Sequence, residues 1–172
     1  MTLHTFQIRA RLHDIPPRVV GARGRLGAKR EIRDMRQTDA LSPEFEASMV
    51  NAIALLHAAS GGPTLAIYNL RFTDGSTPEL RKTRDGQILN EKEILYLSSQ
   101  ILRDNIQGRL ESSDGDFFVH FGWDSDIYCG TNSAIRSVIR SILESGLVVS
   151  EVSASPFYQG VDRSDWPGEL RW

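Results

Sequence analysis

The sequence predicts an α/β (α+β) fold, a single domain in which about three helices pack against a mixed β-sheet. Three observations carry this reading. Segments with apolar residues at every second position alternate with segments whose apolar residues recur every three or four positions, the periods of a half-buried strand and of an amphipathic helix. Turn-forming residues fall between these segments rather than inside them. Two strand-like segments in the middle of the chain are joined by a short polar turn, and such a hairpin argues against an all-parallel sheet.

The first strand is expected at Thr5–Leu12, with Phe6, Ile8, Ala10 and Leu12 on one face. "IPP" ends it, because proline has no ladder donor and a fixed φ. The next segment, residues 18–38, reads as a basic loop. From Arg18 to Arg36 it carries seven cations against two acids, 7 − 2 = +5, and three glycines argue against a helix. A helix is expected from Ser42, which can cap. Pro43 suits its first position, and Glu44 and Glu46 complement the positive end of the dipole. Phe45, Met49, Ile53 and Leu56 form its stripe and Gly61-Gly62 its stop.

A second strand spans Thr64–Phe72, with Ala66, Tyr68, Leu70 and Phe72 facing one way and Leu65, Ile67, Asn69 and Arg71 the other. Residues 73–89 form a polar connection with two Asp-Gly turn signals and room for a short extra hairpin. Asn90 caps the second helix with Glu93 as capping-box partner. Its stripe is Ile94, Leu97 and Ile101 with Leu102 and Ile106, and Gly108 is its expected end. The alternation of Phe117, Val119 and Phe121 is a strand, and "DSDIYCG" returns as its partner. The third helix is expected to begin near Thr131 or Asn132. Ile135, Val138, Ile139, Ile142 and Leu143 face inward, Arg136 and Arg140 outward, and Gly146 fits the position just past its end. "LVVSEVSA" is the last strand. The closing stretch carries Phe157, Tyr158, Trp166 and Trp172, so the tail at 159–172 is expected to pack rather than float.

The totals bound the function. A chain of 172 residues suffices for one domain, residues 1–172, with a core of its own. With 40% hydrophobic and 24% charged residues, its composition is that of an ordinary globular protein. A net charge of −2 supplies no global field that would select nucleic acid or an anionic membrane. A single cysteine, Cys129, excludes an intramolecular disulfide and fits a reducing compartment. "MTLHTFQIRARLHD" lacks the apolar core of a signal peptide, and no apolar run reaches the length of a membrane span. The expectation is a cytoplasmic protein with no membrane partner.

Motifs for chemistry are sparse. Asp124 and Asp126 lie two apart in a turn, where paired acids could hold a metal or act on a glycoside. The same spacing is what Asx-turn chemistry selects, and a metal needs more oxygen ligands than this. His120 and Cys129 could face each other across the hairpin as a thiol–imidazole pair. Nearby carboxylates would oppose the thiolate, so a buried, inert Cys129 is the expectation. His4, His13 and His57 have no partner at metal spacing, and CxxC, HExxH and GxSxG patterns are absent. No catalytic residue, metal ligand or cofactor is therefore assigned, and an enzyme would need a pocket assembled from residues distant in sequence. "GARGRLGAKR" lacks the Gly-Lys-Ser/Thr ending of a phosphate loop. Its nucleic-acid alternative rests on Arg23, Arg25, Lys29 and Arg30. A solvated basic loop, or one neutralising acids within the molecule, stands beside it, and the near-neutral total weighs against nucleic acid.

The most distinctive stretch is "ESSDGDFFVHFGWDSDIYCG", Glu111–Gly130, with five carboxylates, five aromatic rings and no Lys or Arg. Aromatic rings give contact area at low entropic cost, and rim carboxylates steer a basic partner. The candidate partner-binding residues are Asp114, Asp116, Trp123, Asp124, Asp126 and Tyr128. The plain reading beside it makes Phe117, Val119 and Phe121 core, Trp123 a satellite contact and the acids solvated.

"FFVHFGWDSDIYCG", the helix after it and "GLVVSEVSASPFY" resemble the C-terminal half of bacterial immunity proteins that accompany polymorphic or contact-dependent toxins. The resemblance covers Leu110–Tyr158. It rests on a Phe-Gly-Trp-Asp turn, the aromatic strand that follows and a Ser-Pro-aromatic end. It implies a non-catalytic cytoplasmic binder of mixed α/β fold whose partner is a cognate toxin domain with a basic surface.

Overall fold

The computed structural model describes residues 3–9, 42–122, 126–133 and 135–157. The basic loop at 18–38 with Arg23, Arg25, Lys29 and Arg30, the residues Trp123 and Asp124, and the tail at 159–172 lie outside them.

Strand β1 is His4–Arg9 and helix α1 is Pro43–Ala59. The Ser42 hydroxyl accepts from the Phe45 amide at 3.2 Å, satisfying one of the free donors of the first turn. The chain leaves α1 through Gly61 and Gly62 at φ of 87° and 64°, a region that favours glycine. Strand β2, Leu65–Phe72, follows, and then β3, Ile88–Leu89, the short extra strand for which the polar connection left room. Helix α2, Glu91–Leu102, opens with the expected capping box between Asn90 and Glu93. Strands β4 (Ile106–Ser112), β5 (Phe117–Phe121) and β6 (Ile127–Thr131) form a meander, helix α3 is Arg136–Glu144, and β7 is Val148–Val152.

The seven strands form one sheet in the order β3-β2-β4-β5-β6-β1-β7. Every pairing is antiparallel. The fold is thus α+β, with three helices among the described residues packed on a sheet that the central hairpin had already marked as not all-parallel. The core lies between the layers. Phe6, Ile8, Leu65, Ile67, Ile106, Leu110, Phe117, Val119, Ile127 and Cys129 come from the sheet, and Met49, Ile53, Leu56, Ile94, Leu97, Ile101, Ile135 and Ile142 from the helices. The helices are also tied by Glu46 of α1, whose carboxylate accepts from Ser99 at 2.6 Å and from Arg103 at 2.8 Å. Burial alone would raise that carboxyl, but the hydrogen bonds from Arg103 and Ser99 hold it below its ordinary range.

Three element-level expectations are corrected. In β2 the core takes Leu65 and Ile67 with Leu70 packed beside them, not the set Ala66, Tyr68, Leu70 and Phe72. Asn69 sits at φ 55° and the register with β4 shifts between Tyr68 and Arg71, so the bulge brings Leu70 back to the helix side. Helix α2 ends at Leu102, not at Gly108. Asp104 turns the chain at φ 56°, and Ile106 starts a strand whose Gly108 lies where an added Cβ would meet Ile67 Cδ1 at 3.1 Å. Helix α3 starts at Arg136, because Thr131 and its neighbours are still engaged by β1 and β5.

The outer side of β2 is closed locally. Beyond the two residues of β3, the Ile67 amide donates to Gln87 O at 3.1 Å, the Gly86 amide to Ile67 O at 2.7 Å, and the Leu70 amide to Asp85 Oδ1 at 2.8 Å. The second Asp-Gly turn therefore caps this edge, which would otherwise be open to pairing with another chain.

Candidate functional site: a buried polar chain on the helix-free face

Side chains alternate along a strand, so each residue facing the helices has neighbours facing the other way. On that second face the pairings Arg109↔His120, His120↔Tyr128 and Gln7↔Tyr128 set one row across the sheet. Glu111↔Phe118, Phe118↔Gly130 and Thr5↔Gly130 set the next. The chain then leaves β7 and crosses this face as the segment Ser153–Phe157, with Ser155 over His120.

His120 is the centre of the arrangement. Its Nε2 lies 2.9 Å from Glu111 Oε1 and its Nδ1 lies 2.8 Å from Ser155 Oγ. Arg109 Nε lies 2.9 Å from the same Glu111 oxygen. That N–H is not aimed at the oxygen, so the contact is one of charge rather than an aligned hydrogen bond. Arg109 Nη1 donates a long 3.4 Å bond to Phe157 O, and the Phe157 amide donates to Ser155 Oγ at 3.2 Å. The Phe118 ring stacks on His120 at 4.3 Å, and Phe157 sets its edge against both His120 and Tyr128.

The protonation states follow from the environment. Burial pushes the His120 imidazolium down, and Arg109 adds to this; the hydrogen bond and charge of Glu111 oppose it without reversing it, so the ring is neutral at neutral pH. For Glu111, burial would raise the carboxyl, but the His120 hydrogen bond and the Arg109 charge hold it below its ordinary range. A neutral ring beside a carboxylate places its proton on Nε2. Nδ1 then accepts from the Ser155 hydroxyl, and Ser155 Oγ accepts from Phe157 N–H.

A serine, histidine and glutamate joined in this order invite comparison with an acyl-transfer triad. Such a triad needs a nucleophile open to a carbonyl and donors around the developing oxyanion. Ser155 is 0% exposed, His120 is 1% exposed, and the serine oxygen already accepts an amide. In this arrangement the chain presents no nucleophile; it fastens one segment of backbone to the sheet.

The residues singled out from sequence fall in two places. Asp114 and Asp116 sit in the β4–β5 turn, whereas Asp126 and Tyr128 adjoin the β5–β6 turn at the other end of β5. With five residues in β5, the two groups are roughly 15 Å apart at a rise of ~3.3 Å per residue. They do not form one patch. Asp114 is the anchor of its turn, with Oδ1 accepting from Ser112 Oγ at 2.6 Å and from the Asp116 amide at 3.0 Å. Those bonds, the Ser112 hydroxyl first, hold its carboxyl below the ordinary range. Asp116 is exposed. Asp126 accepts from Gln7 Nε2 at 2.7 Å, and the same amide reaches the Tyr128 hydroxyl at 3.2 Å.

Arg109, Glu111 and Ser155 were missed as a site. Pairing His120 with Cys129 across the hairpin was the obstacle, because the register sets His120 against Tyr128 and Val119 against Cys129. His120 and Cys129 therefore lie on opposite faces. Burial pushes the Cys129 thiol far up. The native protein is accordingly expected to resist a thiol reagent at mildly alkaline pH, with labelling only as fast as the sheet unfolds; rapid uptake of one equivalent would contradict the packing. His57 is satisfied by Pro63 O at 2.8 Å and sets its ring against Phe117.

Among the described residues no group of three or more His, Cys, Asp or Glu side chains converges as a metal site. No described helix is long and apolar enough to cross a membrane. No protein-family model, curated protein or solved structure matches this chain.

Proposed function

We propose that this chain is a non-catalytic binding module, an immunity-type protein of the cytoplasm that neutralises a cognate toxin domain by meeting its basic surface. The observation that carries the reading is the β4–β5 turn. It holds two carboxylates, Asp114 and Asp116, at the exposed tip of the meander with no cation beside them among the described residues. Gly115 at φ 74° and the Ser112–Asp114 bond fix the turn, so the charges are held in place before a partner arrives. The polar chain at His120 supports the same reading from the other side, since it is sealed and committed to holding structure. Exposed acids of this kind act on encounter more than on residence.

Asp116 is the clean reporter, because Asp114 also builds the turn and Asp126 is bonded to Gln7. The Asp116→Lys protein is expected to associate with the toxin domain encoded beside its gene about tenfold more slowly at low salt. The difference should shrink as ionic strength rises, with dissociation little changed. Surface plasmon resonance at two salt concentrations measures both. An unchanged association rate would remove this turn from the interface, and failure of the two products to copurify would remove the function.

A further inference from the structure

We propose that the Glu111–His120–Ser155 chain is an acid-released latch, which holds the segment Ser153–Phe157 across the helix-free face of the sheet and lets it go when His120 takes up a proton. This is independent of what the protein binds.

The geometry makes the neutral ring the state that satisfies His120, Ser155 and the Phe157 amide together. The His120 Nε2 proton goes to Glu111, the Ser155 hydroxyl proton goes to His120 Nδ1, and the Phe157 amide proton goes to Ser155 Oγ. A second ring proton has to sit on Nδ1. Two donors then face each other across 2.8 Å, and the serine hydroxyl must turn away from the ring. Ser155 is fully buried, and its hydrogen-bond partners among the described residues are His120 Nδ1 and the Phe157 amide, which is itself a donor. A buried hydroxyl without a partner is destabilising, and a buried cation without one more so.

Among the described residues the negative charge beside His120 is already engaged, Asp126 further along the same face accepting from Gln7 Nε2. The titratable and charged groups facing His120 among the described residues are Glu111 and Arg109 from β4 and the Tyr128 phenol from β6. The segment 153–157 brings none. Glu111 already compensates Arg109 at 2.9 Å, so protonation would set two cations against one carboxylate. Release relieves this without disturbing the rest of the molecule. Ser155 is the one fully buried residue of the described part of the segment, and the anchors beside it include the long 3.4 Å bond from Arg109 and the edge contacts of Phe157. The apolar core lies on the other face of the sheet and contains none of these groups.

The sign follows from linkage. The folded ring protonates below the ordinary histidine value of 6.5, burial being the first cause, and release lifts that burial and lets the ring rise toward it. Opening is therefore unaffected by pH above that value and grows by up to about tenfold per unit below it. The test is amide hydrogen exchange on the full chain from about pH 7.5 to 5.0, corrected for the intrinsic rate of each amide. Protection of the Phe157 amide should be flat at the upper end and then fall by about tenfold or more, while amides of β5 and β6 keep theirs. In His120→Gln the pH dependence should vanish. Should that variant fail to fold, Ser155→Ala should show low Phe157 protection at every pH, with no slope. A flat wild-type profile, a wild-type slope retained in either variant, or loss of β5 and β6 protection in step with Phe157 would each overturn the proposal.

Discussion

Glu111→Ala is expected to lower the unfolding free energy by about 3 kcal/mol, measured by urea denaturation at neutral pH. The carboxylate serves two buried groups at once, as counter-charge to the Arg109 guanidinium at 2.9 Å and as acceptor for His120 Nε2 at 2.9 Å. Removing it leaves an arginine side chain that is 10% exposed with no counter-charge, and an imidazole N–H with no acceptor. Breaking a fully buried pair costs about 3–5 kcal/mol; the lower end applies because the Glu111 side chain is 27% exposed and water can partly fill its place. Glu111→Gln keeps an acceptor for His120 while losing the charge, so about half the loss is expected. The pH dependence has a definite sign. Glu111 ionises below the ordinary glutamate value of 4.5 when folded, so its contribution is complete above that value and disappears as pH falls through the depressed one. The gap between wild type and Glu111→Gln should close over that acid range. A gap that stays constant down to about pH 3 would mean that the charge plays no part.

The second large effect is expected at Gly130. A Cβ built there would overlap Phe118 Cε1 and come within 2.5 Å of Cζ, so Gly130→Ala drives a methyl group into the ring lying across it. The ring has little freedom to retreat, being 2% exposed and stacked at 4.3 Å on His120, which is itself held at both nitrogens. Overpacking of this kind costs about 1–3 kcal/mol, and the closeness of the overlap puts Gly130→Ala at the upper end. Phe118→Leu should recover part of the loss when combined with it, although by itself it removes a ring contact. A double-mutant cycle by thermal denaturation measures that coupling. Additive effects would show that the ring is not what the methyl group meets.

These two residues mark the limit of what the sequence disclosed. Apolar period and end chemistry located the three described helices and strands β1, β2, β5, β6 and β7, because both signals are local: Ser42 and Asn90 cap within three residues of themselves, and Gly61 and Gly146 stop helices by their own φ; strand β4, Ile106–Ser112, was not among them. The faces of β2 were misjudged because a one-residue bulge at Asn69 reverses the alternation, and nothing in "IYNLRF" announces it. The end of α2 was misplaced because Ile106 continues the helical spacing while belonging to a strand. The polar chain on the helix-free face joins residues up to 35 positions apart, His120 to Ser155, and depends on which residue of β6 lies opposite His120. A register one step off sends His120 toward Cys129 and hides the whole site. The acids were legible as exposed charge at Asp116. Their division between two turns was not, because Glu111 proved to lie on a third strand rather than on the hairpin itself.

The separation of the two sheet faces has a consequence for how damage to this protein would be read. Neighbours in β5 answer to different observables. Val119 fills volume among the helices, so altering it should move the denaturation midpoint at any acidity. His120, one residue further along the backbone, governs where protons reside, so altering it should change the shape of the acid limb. Variants of β5 should therefore divide by face: those at Phe117 and Val119 shift the midpoint whatever the acidity, and those at His120 reshape the acid limb.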